Sequence, residues 1–134
     1  RAHKRNKECC GSAMNWYLIS GAIISLAGML FHGIAGQKKY MGNIYGSEME
    51  PLTKSLSLAS WHIFTIFLFT SASTLFCAAY NPKFFMAVYP VIAVNFLGSL
   101  LFIFLGLRNH KTLLKMPGAY LMSGTALLAW LGIS

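Results

Sequence analysis

Two histidines stand where an ionisable side chain is costly. His32 lies about one turn before the end of an uncharged run from Asn15 to Gly36, and His62 lies a few residues into a second uncharged run, Ser55 to Tyr80. If the runs are antiparallel helices, both imidazoles lie at one depth below the same surface, roughly 6–9 Å down at a rise of ~1.5 Å per residue. An ionisable group at such a depth marks a candidate functional site. Glu48, Glu50 and His110 fall in loops on the same side. Imidazoles beside carboxylates suit copper, zinc or iron, and two imidazoles from facing helices suit axial ligation of a haem. His32 and His62 are thus the candidate cofactor ligands, and His32, His62, Glu48, Glu50 and His110 the candidate metal set, for a haem or a transition metal. Two other uses stand beside this one. Each ring can simply hydrogen-bond a hydroxyl such as Ser25, Ser57 or Thr65, or it can handle protons.

Small and polar residues supply the second pattern. Gly21, Ser25, Gly28, His32 and Gly36 recur at steps of four, three, four and four, which places them on one helical stripe. Such a stripe lets another helix approach closely, inside a bundle or toward a partner. In a third apolar run Asn95 needs a hydrogen-bond partner, expected on a neighbouring helix, and Gly98, Ser99 and Gly106 accompany it. The helix-packing set is therefore Gly21, Ser25, Gly28, Gly36, Asn95 and Gly98. Pro90 should kink that third run. Cys9 and Cys10 precede the first run and Cys77 closes the second on the same side. A disulfide, juxtamembrane acylation and inert thiols all remain open.

The elements that must position these residues follow from composition. Of 134 residues 56% are hydrophobic and only 10% charged, against roughly a quarter charged in a soluble domain. Runs of about 20 apolar residues are long enough to cross a bilayer as helices, and isolated strands there would leave backbone groups unpaired. The reading is an all-α integral membrane four-helix bundle, up-down-up-down. It has a basic tail over 1–14 and spans at about 15–36, 55–80, 84–107 and 113–133, with Pro117 in the first turns of the last span. The stretch Gln37 to Lys54, broken by Gly42, Gly46 and Pro51, reads as the longest loop. Trp61 reads as an interfacial anchor.

The formal charge of +8 does not point to nucleic acid, because the cations flank apolar runs and form no basic groove. They read as headgroup contacts with the lipid bilayer. An even number of spans puts both termini and Lys83 on one face. Lys38, Lys39, Lys54, Arg108, Lys111 and Lys115 lie on the other, so the cation balance is nearly even. Arg1, Lys4, Arg5 and Lys7 upstream of the first span lean the termini toward a cytoplasmic face. The first residue is Arg, so residues are expected to precede it.

Gly28-Met-Leu-Phe-His32-Gly-Ile-Ala-Gly36, Leu58-Ala-Ser-Trp61-His62, Met116-Pro117-Gly118 and Trp130-Leu-Gly132 together resemble a widespread group of small, four-span bacterial proteins of unknown function. The group's pattern is a first-span His-x-x-x-Gly and a second-span Trp-His. The resemblance covers nearly the whole chain and implies a four-helix fold with His32, Trp61 and His62 as candidate residues. This chain has Gln37-Lys38 where the group has an acidic-basic pair, so the resemblance assigns no carboxylate there. Three functions follow in order. The first is an accessory subunit of a larger membrane complex, with other membrane subunits as partners and no catalysis of its own. The second is a metal- or haem-binding redox protein built on His32 and His62. The third, a small-solute transporter, is disfavoured because the spans hold no Asp, Glu, Lys or Arg and four helices enclose little lumen.

Overall fold

A computed structural model describes residues 14–134, and every regular element in them is helical. Four helices account for most of the described residues. α1 runs Trp16–Tyr45 without interruption, α2 Pro51–Tyr80, α3 Phe85–Arg108 and α4 Gly118–Ile133. The first two and the third, with its preceding turn Pro82–Phe84, are long and apolar enough to cross a membrane; α4, at 16 residues, is shorter. Large apolar side chains such as Ile23, Ile34, Ile63, Ile66, Leu97 and Phe104 face outward, so the outer surface is as apolar as the interior.

Three boundaries differ from the sequence reading. α1 continues nine residues past Gly36, so most of the expected loop Gln37–Lys54 is helix and the true connection is 46–50. Met41 explains this, because it is fully buried and fixes the helix while Lys38 and Lys39 point outward. Gly42 is tolerated within a helix at a cost of about 1 kcal/mol. α2 starts early, at Pro51, where the missing N–H is one the helix would not have used. The fourth helix starts late. Pro117 is its N-cap, not part of its first turns, because the residue before a proline is pushed out of the helical region. Met116 duly has φ −84° and ψ 142°, which separates α4 from the 3-10 turn Lys111–Lys115. α3 runs on through Pro90, which sits in its second turn.

α1 packs along both α2 and α4, α4 packs along α3, and α2 meets α3 over a short stretch only. Side-chain bonds fix the register. Ser25 Oγ donates to the Leu68 carbonyl at 3.0 Å, and Ser99 Oγ donates to the Ala119 carbonyl at 3.1 Å. Asn15 clasps three helices at one end: its N–H donates to Ala79 O, its amide nitrogen to Gly132 O, and its Oδ1 caps α1 by accepting from Leu18 N. We call this the terminal end, and the opposite end, with 46–50 and 109–117, the loop end.

The terminal half is solidly packed. Leu18 and Ala22 of α1, Leu75, Ala78 and Ala79 of α2, Val88 and Val91 of α3 and Ala129 of α4 form one buried cluster. Small residues allow the close approach. A Cβ on Gly132 would meet Leu18 at 2.6 Å, and one on Gly21 would meet Leu75 at 3.3 Å. The Gly21, Ser25, Gly28 and Gly36 stripe is buried against α2 and α4 of its own chain.

Candidate functional site

His32 is held by α2, and the residue against it is Trp61. The two rings stack with centroids 3.9 Å apart and planes 19° from parallel, while Phe64 meets His32 edge-on at 4.9 Å. Glycine makes this possible. A Cβ on Gly36 would lie 2.6 Å from Trp61 Cζ2, and one on Gly33 would lie 3.3 Å from Thr65 Cγ2, so α2 closes onto α1 only because both positions lack one. Here α1 is π-helical, from Phe31 to Met41. Such i→i+5 stretches recur at functional sites because they re-aim the side chains of one turn.

The imidazole's hydrogen bonds define its chemistry. Nδ1 lies 3.0 Å from Thr65 Oγ1, and that hydroxyl donates to the Trp61 carbonyl at 3.2 Å. With the hydroxyl proton so placed, His32 Nδ1 carries the hydrogen, and the neutral ring's lone pair is at Nε2. Thr65 was one of the three hydroxyls expected as its partner.

The candidate metal ligands are placed differently. His62 follows Trp61 in α2, about 100° further round the helix, and its side chain is exposed. Glu48, Glu50 and His110 are also exposed. Among the described residues no three His, Cys, Asp or Glu side chains come together to hold a metal ion. Cys77 is a free, exposed thiol, and Cys9 and Cys10 lie outside the described residues.

What the four helices do enclose is a cavity of about 60 Å3. Its outer part, toward the loop end, is walled by Phe31, His32, Phe64, Phe102, Met116 and Gly118; its inner part by Ser25, Gly28, Asn95, Leu121, Met122 and Thr125. A haem, with dozens of non-hydrogen atoms, does not fit there. At ~30 Å3 per liquid water, the space takes about two waters or two to three non-hydrogen atoms.

At mid-height each helix contributes a buried polar residue, Ser25, Ser71, Asn95 and Thr125, and of these Ser25, Asn95 and Thr125 line the cavity's inner end. The register puts them at one height, since Ser25 bonds at Leu68 and Ile24 packs on Gly124. Asn95 lies in the middle of α3. Its Nδ2 donates to Val91 O at 2.8 Å within its own helix, so the expected interhelical bond is not made. Asn side chains compete locally in this way for nearby backbone carbonyls.

Among the described residues four buried side-chain atoms lack a partner: Gln37 Oε1, Trp61 Nε1, Ser71 Oγ and Asn95 Oδ1. Each such group costs about 1–3 kcal/mol. Two lie near the loop end and two at mid-height, so the terminal half is sealed and apolar while the loop half carries the cavity and the unsatisfied polar atoms. Sequence reasoning missed Trp61 as the ring under His32, and also Ser71 and Thr125. The signal for the first was present: Trp61 and Thr65 are one turn apart, opposite Gly36 and Gly33. Comparison with family models, with curated proteins and with solved structures finds no match to this chain.

Proposed function

We propose that this chain is a multi-pass integral membrane protein, an up-down-up-down bundle with both termini on one face, that binds a small neutral molecule between its helices. The observation that carries the reading is the asymmetry of the interior. A cavity bordered by all four helices lies in the loop half, and the packed cluster around Leu18, Leu75 and Ala129 closes the terminal half. Three helices of spanning length and an apolar outer surface support the membrane setting. The tail cations upstream of α1 favour a cytoplasmic face for the termini. In that setting Asn95 and Thr125 lie near the bilayer midplane, where membrane transport proteins commonly place their binding sites. No charged side chain lines the cavity, so its occupant is neutral. The test is a titration of the nanodisc-embedded protein with ethanol, followed by NMR of the His32 ring and the Asn95 amide. Saturable shifts at both residues, lost when Leu121→Phe fills the space, support the reading. Shifts that grow linearly, as for solvent, end it.

A second reading rests on a different surface. α2 and α3 are the loosest neighbouring pair, and between them runs an open apolar groove lined by Ser60, Ile63, Phe67, Val94, Leu97 and Leu101. A single apolar helix of another membrane subunit fits such a groove, which makes the chain an accessory subunit of a larger complex. Native purification with mass spectrometry tests this. A co-purifying membrane protein that is lost on Leu97→Trp supports it, and the same recovery from both forms removes the groove as the contact.

A further inference from the structure

The side chains at the inner end of the cavity are matched to one kind of hydrogen bonding. Ser25 Oγ has given its hydrogen to Leu68 O and Thr125 Oγ1 has given its hydrogen to Leu121 O at 2.9 Å. Both hydroxyls can therefore only accept. Asn95 is fully buried, with Nδ2 on Val91 O and Oδ1 without a partner. Among these three residues, three acceptor oxygens thus stand against one spare hydrogen, the second on Asn95 Nδ2. All three residues line the same cavity, and they come from three different helices.

We infer that this cavity selects a hydrogen-bond donor: a neutral molecule of about two to three non-hydrogen atoms carrying a hydroxyl or N–H, held through Asn95 Oδ1. The inference rests on the proposed ligand-binding reading and adds the chemistry of the ligand. Three arguments converge on it. The walls apart from these oxygens and the His32 imidazole are apolar, so the body of the ligand is aliphatic. The absence of a carboxylate among the lining residues makes a cation expensive in this low-dielectric setting. An ether or ketone, which can only accept, leaves Asn95 Oδ1 unsatisfied and opposes its own oxygen to the wall's. Met122 lines the site and its flexible thioether can give way as the ligand's donor approaches Oδ1.

The experiment compares two isomers of identical composition, ethanol with a donor and dimethyl ether without one, by NMR titration of the Asn95 side-chain amide in nanodiscs. Ethanol should bind about 5–10-fold tighter than the ether, the ratio expected for one net hydrogen bond of ~1–1.4 kcal/mol. Asn95→Leu should bring the two isomers to equal affinity, read from the His32 ring. Thr125→Val, nearly isosteric, should narrow the ratio without abolishing it, and it serves if Asn95→Leu does not assemble. Equal binding of both isomers to the wild type overturns donor selection while leaving a ligand cavity. If neither isomer binds, the ligand-binding reading fails and this inference with it.

Discussion

Replacing Gly36 by alanine tests the contact that positions His32. The added Cβ would sit 2.6 Å from Trp61 Cζ2 and 3.1 Å from Cη2. Ordinary carbon contacts begin near 3.5 Å, so the indole must retreat by about 0.9 Å. It cannot do so freely, because its face is stacked on His32 at 3.9 Å. Overpacking of this kind costs about 1–3 kcal/mol, set against a gain of roughly 1 kcal/mol for Gly→Ala within a helix. Gly28→Ala supplies the control on the same helix. Its Cβ would meet Leu121 Cδ1 at 3.8 Å, an ordinary contact, so only the propensity gain remains. The difference between the two variants cancels propensity and should be about 1–3 kcal/mol. Reversible unfolding in mixed micelles measures it, with Trp61 emission read in a Trp16→Phe, Trp130→Phe background. Gly36→Ala as stable as Gly28→Ala, with Trp61 emission unchanged, would refute the stack and the register of α1 on α2.

Other perturbations follow from single contacts. Asn15→Ala removes the cap on α1 and its clasp on Gly132, and unfolding free energy should fall by about 1–2 kcal/mol. Thr65→Val takes away the acceptor for His32 Nδ1; imidazole nitrogen shifts should lose the Nδ1–H preference, and Thr65→Ser should restore it. In contrast to Gly36, Gly98→Ala would meet only the end of the Met122 side chain, at Cε and Sδ, and that chain can swing away. Its stability should therefore stay within about 1 kcal/mol of wild type in the same unfolding assay.

The all-helical architecture was legible because apolar runs of spanning length admit almost nothing else. Helix ends were less so. A buried Met41 beyond two lysines carries α1 through a stretch whose glycines suggested a loop, and burial of one side chain leaves no mark on composition. The site was half legible. His32 stood out as an ionisable group in an apolar run, and Thr65 was among its expected partners. Pairing it with His62 followed from depth alone. The ring stacked on His32 is that of Trp61, the residue before His62, and His62 itself is exposed. Asn95 was recognised as a polar residue needing a partner. Its company of Ser25, Ser71 and Thr125 at one height depends on the register of four helices, which no single run contains.

The most direct test of the account is the sidedness of the connections. Single cysteines at Ser47, Lys83 and Asn109, in a chain with Cys9, Cys10 and Cys77 replaced, can be probed in sealed vesicles with a membrane-impermeant maleimide. Four crossings predict that Ser47→Cys and Asn109→Cys label together from one side, and Lys83→Cys from the other, reacting only after permeabilisation. Labelling of all three from one side, or a split between Ser47→Cys and Asn109→Cys, would contradict it.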